Sequence, residues 1–565
     1  MLKTIPQYSL LRYPGLYFRT VRYLKLSQFY YLIVRRLLPS PKLKSVSAGL
    51  VRRGINAVEW LPTVQPGNLH NEFRFINETK SFNPDSVDWV CDDQKKLWRY
   101  NQHYFDFLQW DCFSDDLKAK LIDSWIDSCP MNQWISWDPY AVSLRIVNWV
   151  KYFDAFPAER EIPKRWLDSL LIQACWQAHN MEYQILANHL VKNAKALVFA
   201  GAFFDSEKAG NLLRLGCKVM LEQVREQFMQ DGGHFERSHM YHLIVTEDYL
   251  DLLNLARKTD LSFSGSELAE IRVKTAHAVD YYTDLCAGDG ELQMFNDSTF
   301  GITVDTATFL GYAARVMGNP VKPLNSDFTL INKAATGYYG YRHAGDSMLI
   351  DCGAVGPDYQ PGHAHCDALS YDLCVNGQRV VVDSGNFTYE HLPIRYENRQ
   401  TAGHNTVRVD GEEQSEVWER WRVGRRAYPI AAELIDQGDG KLSFVGSHDG
   451  YCRLSGSVIH ERRVDIDVSG LWQISDQLTG RGAHLVESFV HIHPALAIVV
   501  ESDSLVRIDS DAGPVARLQA ESGIGIAIED SVWCPEFGIK HDNKVLVMRT
   551  MAELPATINY TITKL

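Results

Sequence analysis

The spacing of apolar residues changes once along the chain, from a helical period to strand-like alternation. Between about residue 115 and residue 317, apolar positions recur at helical spacing in segment after segment, each roughly 10 to 20 residues long. Short links join these segments, which predicts helical hairpins that wind round a common centre, with an irregular bundle as the alternative. The eight segments are residues 115–129, 139–156, 165–184, 188–204, 209–228, 246–258, 267–286 and 306–317.

After about Tyr338 the pattern becomes short alternating runs rich in Val, Ile and aromatic residues. Runs of this kind, separated by turn residues, indicate an antiparallel β-sandwich. A chain of 565 residues is too long for a single hydrophobic core. We therefore predict an α+β multidomain protein with an arm over residues 1–58, a helical domain over 59–335 and a sandwich over 336–565.

Composition narrows the class of protein. An apolar content of 45% and a charged content of 22% are typical of a soluble globular protein. The eleven cysteines are scattered, form no CxxC pair and are odd in number, which favours a reducing compartment over a disulfide framework. Cys366 directly follows His365, and we expect it to be a buried thiol on the opposite face of the strand.

The first 58 residues form a basic arm with eleven Lys and Arg residues and no acidic residue before Glu59. Its longest apolar run, residues 29–34, is too short for a signal peptide or a membrane span. The three-residue spacing of Arg19, Arg22 and Lys25 among aromatic residues suggests that one face meets anionic lipid headgroups. The alternative is a helical arm packed on the main domain. We expect a cytoplasmic protein, peripheral to the inner face of a membrane, with no nucleic-acid partner.

Polar side chains interrupt the strand-like sequence of the second half. His363 and His365 are two residues apart, so their rings would converge on one side of an extended strand. The Asn376–Gly377 pair predicts a hairpin turn that brings Asp383 back to the histidines, and His404 is a further ligand candidate. Histidine nitrogens with a carboxylate suit zinc. The alternative is a half-exposed polar face of an ordinary strand.

The helical half carries a second polar cluster. Asn188 and His189 begin a strongly apolar segment, and a glycine turn follows near residue 232. Taken singly, each histidine here is better explained as a hydrogen-bonded core residue. Taken together, polar groups concentrated where a helix should bury its face favour a cleft. The polar residues around the turn are His234, Glu236, Ser238, Tyr241 and His242.

The chain resembles the heparinase II/III-like family of polysaccharide lyases. This family includes heparin and alginate lyases and is related to dermatan sulfate epimerase. The matching stretches are LWRYNQHYFDFL from Leu97, WDPYAVSLRIVNW from Trp137, NHLVKNAKAL from Asn188, DGGHFERSHMYH from Asp231, and the block from Gly362 to Gln414. The resemblance implies an N-terminal (α/α) toroid followed by a C-terminal antiparallel β-sandwich, with the cleft between them.

The implied chemistry is β-elimination at a uronic acid, in which the C5 proton is removed and O4 departs. An acidic polysaccharide or oligosaccharide is the implied substrate. By resemblance, Asn188 and His189 contact the uronate carboxylate, Tyr241 is an acid or base, and His363 is the other proton-transfer residue. The resemblance assigns a structural zinc to His365, Asp383 and His404.

Three further residues have supporting roles by the same resemblance. Glu236 would orient Tyr241 or His189, and Arg395 and Arg399 would contact substrate anions or serve an ordinary role at the sandwich edge. Two other functions stay open: a uronosyl C5-epimerase that uses the same site, and a non-catalytic glycan-binding protein. Because the sequence shows a basic arm and no signal peptide, we expect a role in bacterial-type surface polysaccharide assembly.

Overall fold

The computed structural model describes residues 13–38, 43, 47–133, 135–324 and 328–565. Helices dominate the described chain up to residue 317, and most strands follow residue 329. The α-helices of the described residues are α1 (Pro14–Val21), α2 (Leu26–Leu37), α3 (Lys96–Tyr104), α4 (Asp115–Ser128), α5 (Pro139–Asp154), α6 (Lys164–His179), α7 (Ala187–Phe203), α8 (Glu207–Gln227), α9 (His239–Ala256), α10 (Gly265–Leu285), α11 (Thr306–Met317) and α12 (Pro393–Arg399).

The eight helical segments predicted from the sequence correspond to α4 through α11, and that prediction is confirmed. Polar N-cap side chains begin several of these helices: Ser114 accepts from a backbone N–H of α4, Ser264 from one of α10 and Asp305 from one of α11. Helices α3 and α12 were not predicted. Both are short, with nine and seven residues.

Helices α3 to α11 are arranged in two layers. Helices α3, α5, α7, α9 and α11 pack side by side in chain order, and α4, α6, α8 and α10 do the same behind them. Gly201 and Gly216 let α7 and α8 approach closely, because a Cβ at either position would lie within 3 Å of the other helix. This double-layered winding of hairpins is the predicted (α/α) toroid.

Within the described residues, the strands form two large antiparallel sheets and three small two-stranded ones. Their bounds are β1 (Leu50–Val51), β2 (Glu72–Phe75), β3 (Glu78–Ser81), β4 (Phe204–Asp205), β5 (Thr329–Lys333), β6 (Tyr338–His343), β7 (Asp346–Asp351), β8 (Tyr371–Val375), β9 (Gln378–Val381), β10 (Val407–Val409), β11 (Val417–Trp418), β12 (Arg422–Val423), β13 (Pro429–Gly438), β14 (Lys441–His448), β15 (Ile459–Asp467), β16 (Leu471–Thr479), β17 (Ala483–Ile492), β18 (Ala497–Ser502), β19 (Leu505–Ser510), β20 (Gly513–Ala520), β21 (Ile526–Glu536), β22 (Ile539–Glu553) and β23 (Ala556–Lys564).

One large sheet has the order β21-β22-β17-β9-β8-β7-β6-β5, with β10 added on β17. The other has the order β13-β14-β15-β16-β23-β20-β19-β18. Alternate side chains of both sheets, such as Tyr341, Phe444 and Trp472, are buried in one shared core. The C-terminal part is therefore the antiparallel β-sandwich that the sequence predicted.

The N-terminal arm packs on both domains. Arg19 pairs with Glu416 of the sandwich at 2.7 Å, and Lys25 pairs with Glu226 of the toroid. The prediction that Arg19 and Lys25 face lipid headgroups is therefore wrong, because carboxylates of the main body hold both of them. The arm's basic residues at positions 3, 12, 42 and 44 lie outside the described residues.

The opposite face of α2 is apolar and exposed. Leu26, Phe29, Tyr30, Ile33 and Leu37 follow helical spacing and point away from the body. Across the described chain, no helix is both long enough and apolar enough to cross a membrane.

Candidate active site

A cavity of about 760 Å³ lies between the toroid and the sandwich. Helices α3, α5, α7 and α9, including their first turns, form part of its toroid wall, and loops at residues 360–363, 389–390 and 420–421 form part of its sandwich wall. Backbone N–H groups at helix N-termini have no partner within the helix, so these ends carry partial positive charge. The cavity is therefore suited to an anionic group such as a carboxylate.

His189 lies in the first turn of α7 and reaches the cavity with 28% of its side chain exposed. Its Nδ1 is 3.1 Å from Glu182 Oε1, and Asn193 donates to the other oxygen of that carboxylate. Burial lowers the pKa of His189, but the Glu182 carboxylate outweighs burial and the net pKa is raised. His189 is thus held toward its cationic form.

Asn188 precedes His189 and is fully buried at the cavity wall. Its amide nitrogen is 3.1 Å from both carboxylate oxygens of Glu236, and its amide oxygen has no partner among the described atoms. We expected Glu236 to orient Tyr241 or His189; the structure shows that it orients Asn188. The two preceding residues, Leu186 and Ala187, adopt left-handed φ angles of 69° and 51°. These backbone conformations are energetically costly for residues other than glycine and are often found at functional sites.

Tyr241 lies in the first turn of α9, where Ser238 Oγ accepts its backbone N–H at 3.2 Å. Its ring stacks on the imidazole of His363 with 3.9 Å between ring centroids, and its hydroxyl is 3.1 Å from the hydroxyl of Tyr389. Burial and the neighbouring Tyr389 raise the pKa of Tyr241 well above its usual value. The phenol therefore stays protonated near neutral pH. We call Tyr241 and His363 the proton-transfer pair.

His363 is held by a residue that the sequence did not reveal, Asp297. His363 Nδ1 lies 3.0 Å from Asp297 Oδ2, which leaves Nε2 available for proton transfer in the cavity. Asp297 also accepts from His365 Nε2 at 2.9 Å, from Asn386 at 2.9 Å and from Arg395. The Arg395 guanidinium and both histidines outweigh burial and hold the pKa of Asp297 well below its usual range.

His365, Asp383 and His404 form what we call the metal group. Each is fully buried, and one ligand atom from each lies within 4.8 Å of the others. His365 Nδ1 and His404 Nε2 are buried, and neither has a hydrogen-bond partner among the residues that the structure describes. Unpartnered buried nitrogens beside a carboxylate fit the donor set of zinc, so the residues suit the predicted metal.

The backbone around the metal group differs in part from the predicted strands. The Asn376–Gly377 turn joins β8 to β9, as predicted, and Asp383 follows β9. His363 and His365 lie in a loop instead of a strand. They converge on Asp297, and His363 takes no part in the metal group. The loop forms here because these polar rings bind a toroid carboxylate, which the sheet pattern alone cannot supply. The loop also buries Cys366, the neighbour of His365, as expected.

Arg395 and Arg399 are buried, with side chains almost free of solvent exposure, and neither lines the cavity. Arg395 binds Asp297 and the backbone of Arg420, and Arg399 donates to the carbonyls of Ala364 and Glu419. The expectation that they contact substrate anions is therefore wrong. Both guanidinium groups hold the loops behind the cavity.

The other histidines of the helical cluster are core residues. His234 Nε2 is 2.8 Å from Gln227 Oε1, and His242 Nε2 is 2.8 Å from the carbonyl of Ala278. Aromatic residues complete the cavity wall and were not predicted as site residues. Those next to the proton-transfer pair and His189 are Tyr140, Tyr389 and Trp421.

Two family models match the chain: the heparinase II/III N-terminus over residues 113–312 and the heparinase II/III-like C-terminal region over residues 329–561. A heparin-sulfate lyase of Bacteroides thetaiotaomicron is 27% identical over 342 residues, which covers 51% of this chain and 48% of the relative. A heparin-sulfate lyase of Bacteroides stercoris is 23% identical over 370 residues, covering 60% of this chain and 54% of the relative. The chain thus spans about half the length of these curated relatives.

Solved structures share the fold. A heparinase III structure aligns with a TM-score of 0.69 and 18% identity, covering 98% of this chain and 92% of the other. The heparan sulfate lyase of Pedobacter heparinus aligns with a TM-score of 0.60 and 16% identity, covering 87% of this chain and 81% of the other. Together, the two family models span both the toroid and the sandwich. The chain belongs to the heparinase II/III-like family.

Proposed function

We propose that this protein is a polysaccharide lyase that cleaves a uronic-acid-containing glycan by β-elimination. The observation that carries the proposal is the stacking of Tyr241 on His363 in a cavity that also contains His189. The curated relatives that are named heparin-sulfate lyases support the same class of reaction.

The uronate carboxylate would bind at His189 and Asn188, at the N-terminal end of α7. A cationic imidazole and unpaired backbone N–H groups lower the energy of the negative charge that builds up when the C5 proton leaves. His189 is suited to this role because Glu182 raises its pKa.

In the elimination step, His363 Nε2 takes the C5 proton. The electron pair of the C5–H bond forms the C4–C5 double bond, and the C4–O4 bond breaks. The Tyr241 hydroxyl gives its proton to the departing O4, and the nearby Tyr389 hydroxyl stabilises the resulting phenolate. Asp297 holds the His363 ring through Nδ1 and stabilises the imidazolium as it forms.

We propose that His365, Asp383 and His404 would hold a zinc ion with a structural role. When bound, zinc would fix the loop that carries His363, through its neighbour His365. No proton-transfer step requires it, because Asp297 already orients His363.

A C5-epimerase is the alternative enzyme. Epimerisation requires a second group that returns a proton to the opposite face of C5. Tyr241 and His363 stack at 3.9 Å, so both would approach the sugar from the same side. This arrangement favours elimination over epimerisation, and a purely glycan-binding protein would have no need for such a pair.

The test is incubation with a panel of acidic polysaccharides in heavy water. A lyase produces an unsaturated uronate that absorbs in the ultraviolet. Deuterium at C5 without chain cleavage would identify an epimerase. Binding without either change would identify a glycan-binding protein and would contradict the proposal.

We also propose that the arm docks the protein on a membrane surface, where a lipid-linked or nascent glycan would be its substrate. Support comes from the exposed apolar face of α2, at Leu26, Phe29, Tyr30, Ile33 and Leu37. A helix with one face packed and the other apolar is suited to the headgroup boundary of a bilayer.

Flotation with anionic vesicles tests the docking proposal. The full-length protein should float with the vesicles, and the triple variant Leu26→Ser, Phe29→Ser, Ile33→Ser should stay in solution. Val273→Ser, at an exposed apolar position of α10 on the main body, is the control. Equal flotation of the triple variant would contradict the proposal.

A further inference from the structure

One face of α2 packs on the toroid loop of residues 180–186, which joins α6 to α7. Gln28, Tyr31 and Arg35 recur at helical spacing and form this face. Arg35 donates to two backbone carbonyls of the loop, and the ring of Tyr31 stacks on that of Tyr183 with 4.8 Å between ring centroids. The packed face of α2 therefore covers a loop that leads directly into the cavity wall.

Gln28 joins this toroid loop to a loop of the sandwich. Its side chain is buried, with 3% of the residue exposed. Its Nε2 lies 3.3 Å from the carbonyl of Gln184 in the toroid and 3.3 Å from the carbonyl of Tyr359 in the sandwich. Its Oε1 accepts the backbone N–H of Lys25 at 2.9 Å. That contact fixes the amide, so that its two N–H bonds are left for one carbonyl of each domain.

Neighbouring contacts support the same junction. Lys25 pairs with Glu226 of the toroid and lies over the ring of Tyr359, with 3.8 Å from Nζ to the ring centroid. The Tyr359 hydroxyl donates to Glu226 at 2.7 Å. Arg237 of the toroid donates to two carbonyls near the start of the sandwich loop, at residues 354 and 356. The toroid therefore holds the start of this loop directly, and α2 holds it at Tyr359.

Each of the two loops carries part of the candidate active site. Glu182 lies in the toroid loop and holds His189 through its carboxylate. His363 follows Tyr359 by four residues in the sandwich loop. All three of these site residues line the cavity. Because Gln28 contacts both loops, it links the position of Glu182 to the position of His363.

These contacts belong to a part of the chain that precedes both family models. The models begin at residues 113 and 329, and α2 ends at Leu37. The junction is therefore not among the features that the family models match.

We infer that Gln28 is a positioning residue, which joins the loop of Glu182 to the loop of His363 and so fixes the two sides of the cavity relative to each other. Its effect on turnover rests on the proposed lyase function. The junction itself can be measured without activity.

Gln28→Met tests the junction, because methionine keeps the length of the side chain but donates no hydrogen bond. Hydrogen exchange of the full chain, followed by mass spectrometry, reports on both loops. The backbone amides of Ile185, Leu186 and Gln360 make turn hydrogen bonds within these loops. We expect their exchange to be faster by about 5- to 10-fold, the scale of one hydrogen bond.

Three further variants make the exchange measurement specific. Gln437→Met, the same substitution at an exposed position of β13, should leave both loops unchanged. Gln28→Glu keeps the size of the side chain and places an acceptor against the carbonyls, so it should match Gln28→Met and decides the question if that variant does not fold. Arg35→Met should speed exchange only in residues 180–186, because Arg35 donates to the toroid loop.

Activity provides a second measurement on a uronic-acid polymer that the wild type cleaves. Gln28→Met should lower kcat/KM by about tenfold, because the reacting groups are no longer aligned. The alkaline limb of the kcat/KM profile should move to lower pH, because a displaced Glu182 raises the pKa of His189 less. A role for Gln28 in stability alone would leave that limb in place.

Unchanged exchange in Gln28→Met and Gln28→Glu would overturn the inference, and so would faster exchange in only one loop. Faster exchange of Gln360 in Arg35→Met would indicate general loosening of the arm and would also overturn it. An unchanged pH profile in an active Gln28→Met enzyme would overturn the positioning role. If the wild type cleaves no polymer, the lyase proposal fails, and hydrogen exchange alone decides whether Gln28 joins the loops.

Discussion

His363 and His365 are two residues apart in the sequence and lie in different surroundings. His363 lines the cavity with 9% of its side chain exposed, and because its Nδ1 contacts Asp297, its Nε2 is left for proton transfer. His365 has no exposed surface, and its unpartnered nitrogen points toward Asp383 and His404. Burial lowers the pKa of His365 to about 4, which favours the neutral ring that a metal ion requires.

One carboxylate determines the roles of both histidines. Asp297 contacts His363 with one oxygen and His365 with the other. It therefore fixes which nitrogen of each ring is left over: Nε2 of His363 for proton transfer, and Nδ1 of His365 for a metal. The toroid supplies Asp297, so the sandwich histidines take up their roles only when the two domains are packed together.

Replacing His363 should abolish most of the activity without affecting the metal group. His363→Ala should lower turnover by roughly 10² to 10⁴, the contribution of a positioned acid or base. It should leave zinc content unchanged, because His363 lies outside the metal group. Product absorbance and elemental analysis on the same sample check this, with His541→Ala at an exposed position of β22 as control. Loss of zinc together with activity would show that the roles are not separate.

Replacing a residue of the metal group tests whether zinc is bound there. Purified protein should carry about one zinc per chain. His404→Ala should lose that zinc and lower the melting temperature by roughly 5 °C or more, because Asp383 is left buried without its cationic partner. A stable wild-type preparation without zinc would contradict the assignment of the metal group.

Asp297→Asn should affect both regions at once. The variant keeps the size of the side chain but removes the charge that faces His363 and His365. We expect a fall in kcat/KM of roughly 10- to 100-fold, together with faster loss of zinc to a chelator. If activity falls while zinc retention is unchanged, Asp297 serves the proton-transfer pair alone.

The smallest expected effect is a shift in pH dependence. His189 is proposed to act as a cation, so activity should be present below its pKa and lost as the pH rises through it. Glu182 raises that pKa, and Glu182→Gln should therefore move the alkaline limb of the kcat/KM profile to lower pH. An alkaline limb at the same pH in both proteins would assign it to another group.

The sequence predicted the elements well where periodicity was strong. The eight toroid helices and the hairpin at Asn376–Gly377 follow from apolar spacing and from turn residues, which act locally. The loop at His363 was mistaken for a strand, since alternation of polar and small residues looks the same in both. Only the contact with a distant carboxylate distinguishes them.

The residues that the sequence did not reveal act through long-range contacts. Asp297 lies 66 residues before His363, in a connection between α10 and α11, and nothing local marks it as a hub. The polar run at residues 296–299 was the available signal, because polar side chains that become buried require hydrogen-bond partners. Arg395 is buried because it pairs with Asp297. Its burial therefore could not be predicted without knowledge of that contact.

The decisive measurement is the rate at which wild-type protein and Tyr241→Phe form the unsaturated uronate from a uronic-acid polymer. The substitution removes only the phenolic oxygen, so the fold and the stacking on His363 should persist. We predict an ultraviolet-absorbing product from the wild type and a rate lower by at least about 100-fold in the variant. Equal rates in the two proteins would contradict the account, and so would a wild type that forms no unsaturated product from any uronic-acid polymer.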